Sequence, residues 1–242
     1  MYKLIWPQVS HETLLSEAAQ FFRVGYRQLE LAYQKYQDIC MAYGHSKLGE
    51  LKTLNTEETF IIFLILNFYK PVSFVEVGTL LGRSTRRFID IKNELNLPFD
   101  IHCYDIVNKV KHFKPSEAKL ILHDLTGNVA KTLESYPKPG LIYLDAHPYY
   151  LTTEVIRYVL DNPGWTLVIH DSGKALCNPN MTISKDDPGA ITSQTGHWER
   201  YCLAEVFGKT GPFDPTLDDC ETDTHKMRIF STMHGICAVI PK

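Results

Sequence analysis

The sequence predicts an α/β fold built on a doubly wound, mostly parallel sheet. Short apolar strand patterns alternate with helical patterns from about residue 70 onward, which is typical of a parallel sheet with helices on both faces. Five of the predicted strands also end in an acidic residue. Ligands of open α/β sheets bind at the carboxyl ends of the strands, so the pattern also predicts where a site lies.

The composition narrows the class of function. The 242 residues are 44% hydrophobic and 22% charged, which is ordinary for one large or two small soluble domains. A net charge of −3, with no basic run longer than a pair, argues against nucleic-acid and membrane-surface binding. The six cysteines are scattered and the N-terminus lacks an apolar signal core, so we expect a cytoplasmic protein with reduced thiols.

Helical patterns precede the first strand. Ser10 is the predicted N-cap of a long helical region that ends near Gly44, and a second helix is predicted to begin at Asn55 or Thr56 and to run to Tyr69. The aromatic stripe of the first region suits a helix packed on the domain, a cap over the active site or a dimer surface. The sequence leaves these alternatives, including a homodimer, open.

The stretch from Ser73 to Thr85 is predicted to be a strand, a glycine turn and a helix. The strand ends at Gly78, a second glycine follows at Gly82, and helical spacing begins at Ser84. A glycine at a strand end permits a sharp turn and a close ligand, and the helix N-terminus offers free N–H groups. Glu76 could accept hydrogen bonds from a ligand's amine or hydroxyl. The pattern lacks the second glycine of the dinucleotide fingerprint Gly-x-Gly-x-x-Gly.

Four more strands follow, with helical stretches between them. They are predicted at residues 99–105, 119–124, 141–145 and 165–171, and they end in Asp105, Asp124, Asp145 and Asp171. Turn chemistry explains one or two such acids, but five in succession, counting the acid near the end of the first strand, indicate a ligand site.

The last part of the chain is predicted to carry a loop and a hairpin. Residues 172–196 are rich in Gly, Pro, Asn, Asp and Ser, and a loop of this length at the carboxyl edge suggests a substrate loop. A helix at 197–207 and a polar loop at 211–223 follow. Two apolar runs, 227–233 and 236–240, then predict an antiparallel β-hairpin.

The motif Glu76-Val-Gly-Thr-Leu-Leu-Gly-Arg-Ser-Thr85 resembles the first motif of class I S-adenosylmethionine (SAM) dependent methyltransferases. It is most similar to the branch of small-molecule O-methyltransferases and antibiotic-tailoring enzymes. The resemblance covers residues 55–242 and implies a Rossmann-like, seven-stranded sheet with a C-terminal antiparallel hairpin, preceded by a helical extension or cap at 1–54. It also implies methyl transfer from SAM to a small-molecule acceptor, at a hydroxyl oxygen.

The resemblance assigns cofactor contacts to residues at the strand ends. Glu76 and Gly78 match the methionine end, with Glu76 reaching the amino group through water. Asp105 matches the acid that accepts both ribose hydroxyls, and Asp124 matches the contact to the adenine amine. The full predicted set is Glu76, Gly78, Gly82, Ser84, Asp105, Asp124 and Asp145.

The resemblance also places catalytic residues near the acceptor. His147 is the predicted general base, because the ordinary pKa of histidine lies near the working pH, and His170 is the second candidate. Asp145 would hold a metal or orient the base. Asp145 and Asp171 are the predicted ligands of Mg²⁺, with His170 or Ser172 as the third; His170 would favour a softer metal. Without metal, Asp145 orients His147 or the SAM amine, and Asp171 caps the loop or binds substrate.

Two rival functions remain at this point. A nicotinamide oxidoreductase on a related fold also places an acid after its second strand, but the missing fingerprint argues against it. A non-catalytic SAM-binding subunit would keep the fold without the chemistry. The presence of Asp145, His147 and Asp171 argues against that alternative.

Overall fold

The structure is a computed structural model that describes residues 10–45, 54–177 and 197–242. The described residues form one sheet of eight strands. The strands are β1 (Ser73–Val77), β2 (Ile101–Asp105), β3 (Lys119–Leu122), β4 (Gly140–Leu144), β5 (Trp165–Ile169), β6 (Asp219–Glu221), β7 (His225–Phe230) and β8 (Ile236–Pro241).

The strand order is β3-β2-β1-β4-β5-β8-β7-β6. Strands β1 to β5 are parallel, and the order reverses at β1, whose Val77 pairs with Tyr104 of β2 and Leu144 of β4. β8 runs antiparallel between β5 and β7. The predicted doubly wound sheet and its C-terminal hairpin are therefore confirmed.

The sheet has one strand more than the seven predicted. The extra strand, β6, lies inside the segment predicted to be a polar loop, and it pairs antiparallel with β7 at the sheet edge. Its three residues carry no alternating apolar pattern, because an edge strand exposed to solvent buries no side chain deeply. The sequence therefore offered no period-two signal for it.

Seven α-helices lie among the described residues. They are α1 (His11–Phe22), α2 (Tyr26–Tyr43), α3 (Thr56–Tyr69), α4 (Arg83–Glu94), α5 (Val129–Leu133), α6 (Tyr149–Asp161) and α7 (Glu199–Val206). Ser10 caps α1 as predicted, with its side chain accepting from the Thr13 N–H. The single helical region predicted up to Gly44 is wrong, because Arg23 adopts a left-handed conformation with φ 55° and breaks it into α1 and α2.

The N-terminal helices pack into the domain. Apolar residues of α1, α2 and α3 share one core cluster with β1 and β8, and the Phe21 ring of α1 meets the Phe230 ring of β7 edge-on, with centroids 5.4 Å apart. A second apolar cluster fills the other face of the sheet. Among the described residues, no helix is long and apolar enough to cross a bilayer, and all six cysteines are free.

The helix α3 carries a buried acid to the sheet. Its capping box is complete: the Asn55 side chain accepts from the Glu58 N–H at 2.8 Å, and the Glu58 side chain accepts from the Asn55 N–H at 2.9 Å. Residues 60–66 are fully buried, so the helix lies in the core with Glu58 buried at its first turn. That placement brings Glu58 to the functional edge described below.

The predicted substrate loop is described only at its beginning. Residues 178–196 lie outside the described residues. Before them, the Ser172 and Gly173 N–H groups each donate at 2.7 Å, to the Gly235 and His234 carbonyls of the turn between β7 and β8. The start of the loop is therefore fixed to the C-terminal hairpin.

Candidate functional site

The strand ends of β1, β4 and β5 lie side by side. The backbone ladder continues beyond the strands, with the Gly78 N–H donating to the Tyr104 carbonyl at 2.9 Å and the Asp145 N–H to the Val77 carbonyl at 2.8 Å. The His170 N–H donates to the Leu144 carbonyl at 3.0 Å. The topology therefore brings three of the predicted site residues to one edge, as expected for parallel strands.

The glycine turn after β1 is held in an uncommon backbone shape. Gly78, Leu80 and Gly82 all have positive φ, at 90°, 48° and 76°. A Cβ on Gly78 would lie 2.6 Å from the Asp145 carbonyl oxygen, and one on Gly82 would lie 2.6 Å from the Phe113 ring. Both glycines are thus required by the chain's own packing, in addition to the cofactor contacts that the resemblance assigns to them. Leu80, a rare non-glycine residue in this region, leaves 53% of its surface exposed.

Asp105 fixes that turn to the end of β2. Its Oδ2 accepts from the Thr79 N–H at 3.1 Å and the Leu80 N–H at 2.7 Å, and its Oδ1 accepts from the Val107 N–H at 3.0 Å. A carboxylate offers about four acceptor positions, and Asp105 is partly exposed. Capacity for a ligand hydroxyl therefore remains on a group that also shapes the turn.

Glu76 supports the same turn from inside the protein. The residue is fully buried, and its Oε2 accepts from the Thr85 hydroxyl at 2.5 Å and the Thr79 hydroxyl at 3.3 Å. Its Oε1 has no hydrogen-bond partner among the described residues. Burial raises the pKa of Glu76 to about 7, helped by the charge of Asp145 and opposed by the hydrogen bonds from the Thr85 and Thr79 hydroxyls and by the nearby Cys103 thiol.

Replacing Glu76 with glutamine should change how stability depends on pH. Because the folded-state pKa is raised from its ordinary 4.5, the folded protein keeps a proton that the unfolded chain has lost, and the wild type loses stability as pH rises between these values. A shift of this size corresponds to about 3 kcal/mol. The free energy of unfolding, measured with urea at pH 5 and pH 8, should be higher for Glu76→Gln relative to the wild type at pH 8 than at pH 5. An equal difference at both pH values would contradict the raised pKa.

Asp124 and Ser84, two further residues of the predicted cofactor set, differ in their exposure. Asp124 is exposed, and its Oδ1 accepts from the Thr126 N–H at 2.9 Å. Ser84 is buried in the first turn of α4. Exposed apolar side chains surround the ends of β1, β2 and β3, namely Leu80, Ile106, Val107 and Leu122. Such a group of exposed apolar residues at a strand edge is a candidate ligand surface.

Five residues form a group that we call the inner cluster: the buried Glu58 and His170 and the partly exposed Asp145, Asp171 and His234. The His170 Nδ1 lies 3.0 Å from Asp145 Oδ1 and 3.3 Å from Asp171 Oδ1, and its Nε2 lies 3.2 Å from Glu58 Oε2. Burial lowers the pKa of His170, but the adjacent Asp145 and Asp171 carboxylates outweigh it and raise the pKa well above its ordinary value. Each ring nitrogen therefore faces a carboxylate to which it can donate a proton in a hydrogen bond. This arrangement argues against the predicted role of His170 as a base.

Glu58 completes the inner cluster from α3. Its Oε1 accepts from the His234 N–H at 2.8 Å and the Thr232 hydroxyl at 3.2 Å, and its Oε2 lies 3.3 Å from His234 Nδ1. Burial alone would raise the pKa of Glu58, yet the hydrogen bonds and charges of His170 and His234 hold it far below its usual range. Glu58 is thus a buried, charged carboxylate that fixes His170.

A second group, which we call the outer cluster, consists of His147, Asp171, His197 and Glu199. The His147 Nδ1 lies 2.7 Å from Glu199 Oε1, and the Asp171 Oδ2 lies 3.5 Å from His197 Nδ1. The two imidazole rings meet edge-on with centroids 4.8 Å apart. Asp171 adopts a left-handed conformation, φ 57°, and its two oxygens face the two clusters.

The outer cluster changes the acid–base properties of His147. Burial lowers its pKa, but the hydrogen bond to Glu199 and the charges of Glu199, Asp145 and Asp171 together raise the pKa to about 9. The predicted base would therefore carry a proton at neutral pH. Its side chain is still 30% exposed, so of the two predicted bases His147 is the one that faces outward.

The two predicted metal ligands, Asp145 and Asp171, lie close together, but both contact a histidine. Asp145 and Asp171 both approach His170 Nδ1 with one oxygen each. Of the two alternatives for a third ligand, the Ser172 hydroxyl is buried and donates to the Ile169 and His170 carbonyls at 3.4 and 3.5 Å. This geometry disfavours Ser172 as the third ligand.

Sequence reasoning missed four residues of the two clusters: Glu58, His197, Glu199 and His234. Glu58 lies three residues after the predicted helix start at Asn55, which is the spacing of a capping box, but that spacing does not reveal that the carboxylate also contacts a histidine 112 positions away. His197 and Glu199 follow the predicted loop in the sequence His-Trp-Glu. The available signal there was a histidine and a glutamate two positions apart, because both residue types bind metal ions.

The sequence matches no protein-family model and no curated protein. Solved structures do match. A proposed O-methyltransferase from Klebsiella pneumoniae aligns with 88% of this chain and 89% of its own, at 14% identity and a TM-score of 0.51. The methyltransferase PaMTH1 from Podospora anserina, solved with S-adenosylhomocysteine (SAH), aligns over 87% of both chains at 12% identity and a TM-score of 0.49. The structure named cmcI-D160 Mg-SAM matches 47% of this chain at 19% identity and a TM-score of 0.39, and this chain spans about half (51%) of its length.

The Klebsiella match establishes the fold of this chain. The protein has the Rossmann-like methyltransferase fold, with an eight-stranded, mostly parallel sheet, N-terminal helices and a C-terminal antiparallel part. The resemblance inferred from the motif at Glu76 to Thr85 is confirmed at the level of the fold. Identities of 12 to 19% do not transfer an activity, because unrelated functions share folds.

Proposed function

We propose that this protein is a SAM-dependent methyltransferase that transfers a methyl group to a hydroxyl oxygen of a small molecule. The observation that carries the proposal is the turn from Gly78 to Gly82, whose N–H groups are held by Asp105 at the carboxyl ends of β1 and β2. In this fold, that position is the crevice where the strand order reverses and a ligand can enter.

The residues around the turn fit an adenosine-containing cofactor. Asp105 keeps acceptor capacity for ribose hydroxyls, and the exposed Ile106 and Leu122 offer apolar surface to a flat base. Asp124 is exposed at the end of the adjacent strand, within the region that the adenine amine would occupy under this proposal. The turn lacks the Gly-x-Gly-x-x-Gly spacing of a pyrophosphate-binding turn, so the fit favours SAM over a dinucleotide.

The role proposed for each residue follows from how deeply that residue is buried. SAM, when bound, supplies an electrophilic methyl group on its sulfonium. Glu76 and Asp105 keep the turn in shape, while the partly exposed Asp145, His147 and Asp171 face the space after β4 and β5 where the acceptor would lie. Positioning of the acceptor hydroxyl against the methyl group would then supply much of the rate enhancement.

A cleft of about 730 Å³ lies between α1 and the chain after β5, with both polar and apolar side chains in its lining. Neither Asp145, His147 nor Asp171 lines this cleft. The proposal therefore keeps the acceptor in the space in front of those three residues. The cytoplasmic location remains a prediction.

Thermal melting with four ligands tests the proposed cofactor. SAH and SAM should each raise the melting temperature by mass action, since they bind the folded state, whereas NAD and NADP should leave it unchanged. At a ligand concentration of about 100 Kd the stabilisation is roughly 2.7 kcal/mol. A shift with NAD or NADP, and none with SAH, would support the rival oxidoreductase instead.

A non-catalytic SAM-binding subunit would give the same melting result. Incubation with methyl-labelled SAM and a panel of hydroxylated small molecules separates the two functions, because only an enzyme moves the label into product. The exposed face of His147 favours the enzyme.

A further inference from the structure

We propose that the outer cluster is a binding site for a divalent transition-metal ion, with Zn²⁺ as the best-matched ion. The protein ligands are His147, Asp171 and His197, and Glu199 supports them. The prediction from sequence placed Mg²⁺ on Asp145 and Asp171. The structure points to a different ligand set that shares only Asp171 with it.

The ligand geometry is the first argument. One ligand atom from each of His147, Asp171 and His197 lies within 4.8 Å of the other two, so small side-chain movements would bring all three around one ion. Two imidazoles and one carboxylate suit Zn²⁺ and related transition metals, whereas Mg²⁺ prefers oxygen ligands alone. The three residues come from the ends of β4 and β5 and from the chain just before α7.

Glu199 supplies the second argument. It contacts His147 in the way that a carboxylate outside the ligand set contacts a metal-bound histidine. Its Oε1 lies 2.7 Å from His147 Nδ1. An ion at Nε2 would displace the proton of that nitrogen, while the proton on Nδ1 stays shared with the Glu199 carboxylate. This carboxylate–histidine pairing is typical of metal sites, where it fixes the tautomer and the ring orientation.

Unpartnered buried atoms supply the third and independent argument. Among the residues that the structure describes, neither His197 Nδ1 nor Glu199 Oε2 has a hydrogen-bond partner, although both atoms are buried. Glu199 is 1% exposed, and the two atoms lie 3.8 Å apart. Buried polar atoms nearly always have partners, and a cation coordinated by His197 and attracted by Glu199 would compensate both.

The inner cluster is a weaker candidate for the same ion. His170 Nδ1 and Nε2 are both already shared with carboxylates, so binding there would require breaking these contacts. Glu58 likewise accepts hydrogen bonds from the His234 and Asn55 N–H groups. Fewer of the possible ligand atoms in the outer cluster already have hydrogen-bond partners, and the side chain of His147 is partly exposed, so that a ligand can reach it.

A functional consequence rests on the proposed methyltransferase activity. An ion held by three protein ligands keeps an open coordination position, and the acceptor hydroxyl oxygen would occupy it. His147 would then act as a ligand that positions the acceptor through the ion.

Metal titration of the full-length protein after EDTA treatment and dialysis tests the site. Zn²⁺ titrated in a calorimeter should bind with one tight equivalent, and Co²⁺ should give visible absorption bands of a four- or five-coordinate nitrogen and oxygen site. Mg²⁺ at the same concentration should give neither signal. His197→Ala should weaken Zn²⁺ at least tenfold, and Glu199→Gln, which keeps the shape but removes the charge, should weaken it by roughly 10- to 100-fold.

His123→Ala is the matched control, because His123 is an exposed histidine after β3 at the same sheet edge and outside both clusters. It should bind Zn²⁺ like the wild type. Circular dichroism and melting of each variant establish folding, and Asp171→Asn replaces His197→Ala if the latter does not fold. Absence of tight Zn²⁺ binding, or equal binding by wild type and ligand variants, would overturn the proposal. SAH melting of the same samples separates this failure from failure of the proposed function.

Discussion

Replacing Glu58 with alanine should lower the free energy of unfolding by about 3–5 kcal/mol, the usual cost of removing one partner from a buried ion pair. Glu58 is fully buried, and its carboxylate contacts His170 and His234 and accepts from the Thr232 hydroxyl. Without it, the buried His170 loses the partner of its Nε2. The capping box with Asn55 is lost as well.

Glu57→Ala is the matched control, since Glu57 lies in the same first turn of α3 but is exposed. Chemical unfolding at pH 7 should show a change of at most about 0.5 kcal/mol for this exposed substitution. A Glu58→Ala protein as stable as Glu57→Ala would show that the inner cluster does not hold the fold together.

The effect of Glu58→Ala should shrink in acid. Because the folded-state pKa of Glu58 is held far below its usual range, the unfolded chain binds a proton more readily, and the stability contributed by Glu58 is lost as pH falls. The difference between wild type and variant should therefore be largest near neutral pH and smaller below pH 4.

The second large effect is expected for Asp105→Ala, which should weaken SAH binding roughly 10- to 150-fold. This range corresponds to about 1.5–3 kcal/mol for hydrogen bonds to a charged acceptor. The loss has two sources under the proposed function: the ribose hydroxyls lose their acceptor, and the N–H groups of Thr79, Leu80 and Val107 lose the carboxylate that orders the turn.

Asp124→Ala serves as the comparison, because Asp124 is exposed and holds only the Thr126 N–H of its own turn among the contacts described. Calorimetric titration of both variants with SAH should show the larger loss for Asp105→Ala. Unchanged affinity in Asp105→Ala would remove the ribose assignment. A larger loss in Asp124→Ala would shift the main cofactor contact to the end of β3.

The fold was predictable because its signals are local. Buried strands such as β1 and β4 appear as short apolar runs, and the hairpin of β7 and β8 appears as two such runs around a glycine turn. The capping box of α3 is likewise a local signal, because Asn55 and Glu58 lie within four consecutive residues. The exposed edge strand β6 lacks such a signal, since no apolar period marks it. The break at Arg23 has a weak one, because Gly25 two residues later is the N-cap of α2.

The site was predictable only in part. Strand-end acids such as Asp145 and Asp171 could be placed at one edge, because parallel topology fixes where strand ends lie. Which histidine each carboxylate contacts depends on side chains from α3 and α7, more than fifty positions away in sequence for Glu199 and His147. For this reason the shifted pKa of His147 and the enclosure of His170 could not be read from residue type.

A crystal structure of the protein with SAH tests the central claim most directly. The account predicts SAH at the carboxyl ends of β1 and β2, with its ribose hydroxyls within hydrogen-bond distance of Asp105 and its base against Ile106 and Leu122. The sulfur should point toward the space in front of Asp145 and His147. SAH bound elsewhere on the chain, or crystals that take up no SAH at concentrations saturating for known methyltransferases, would contradict the account.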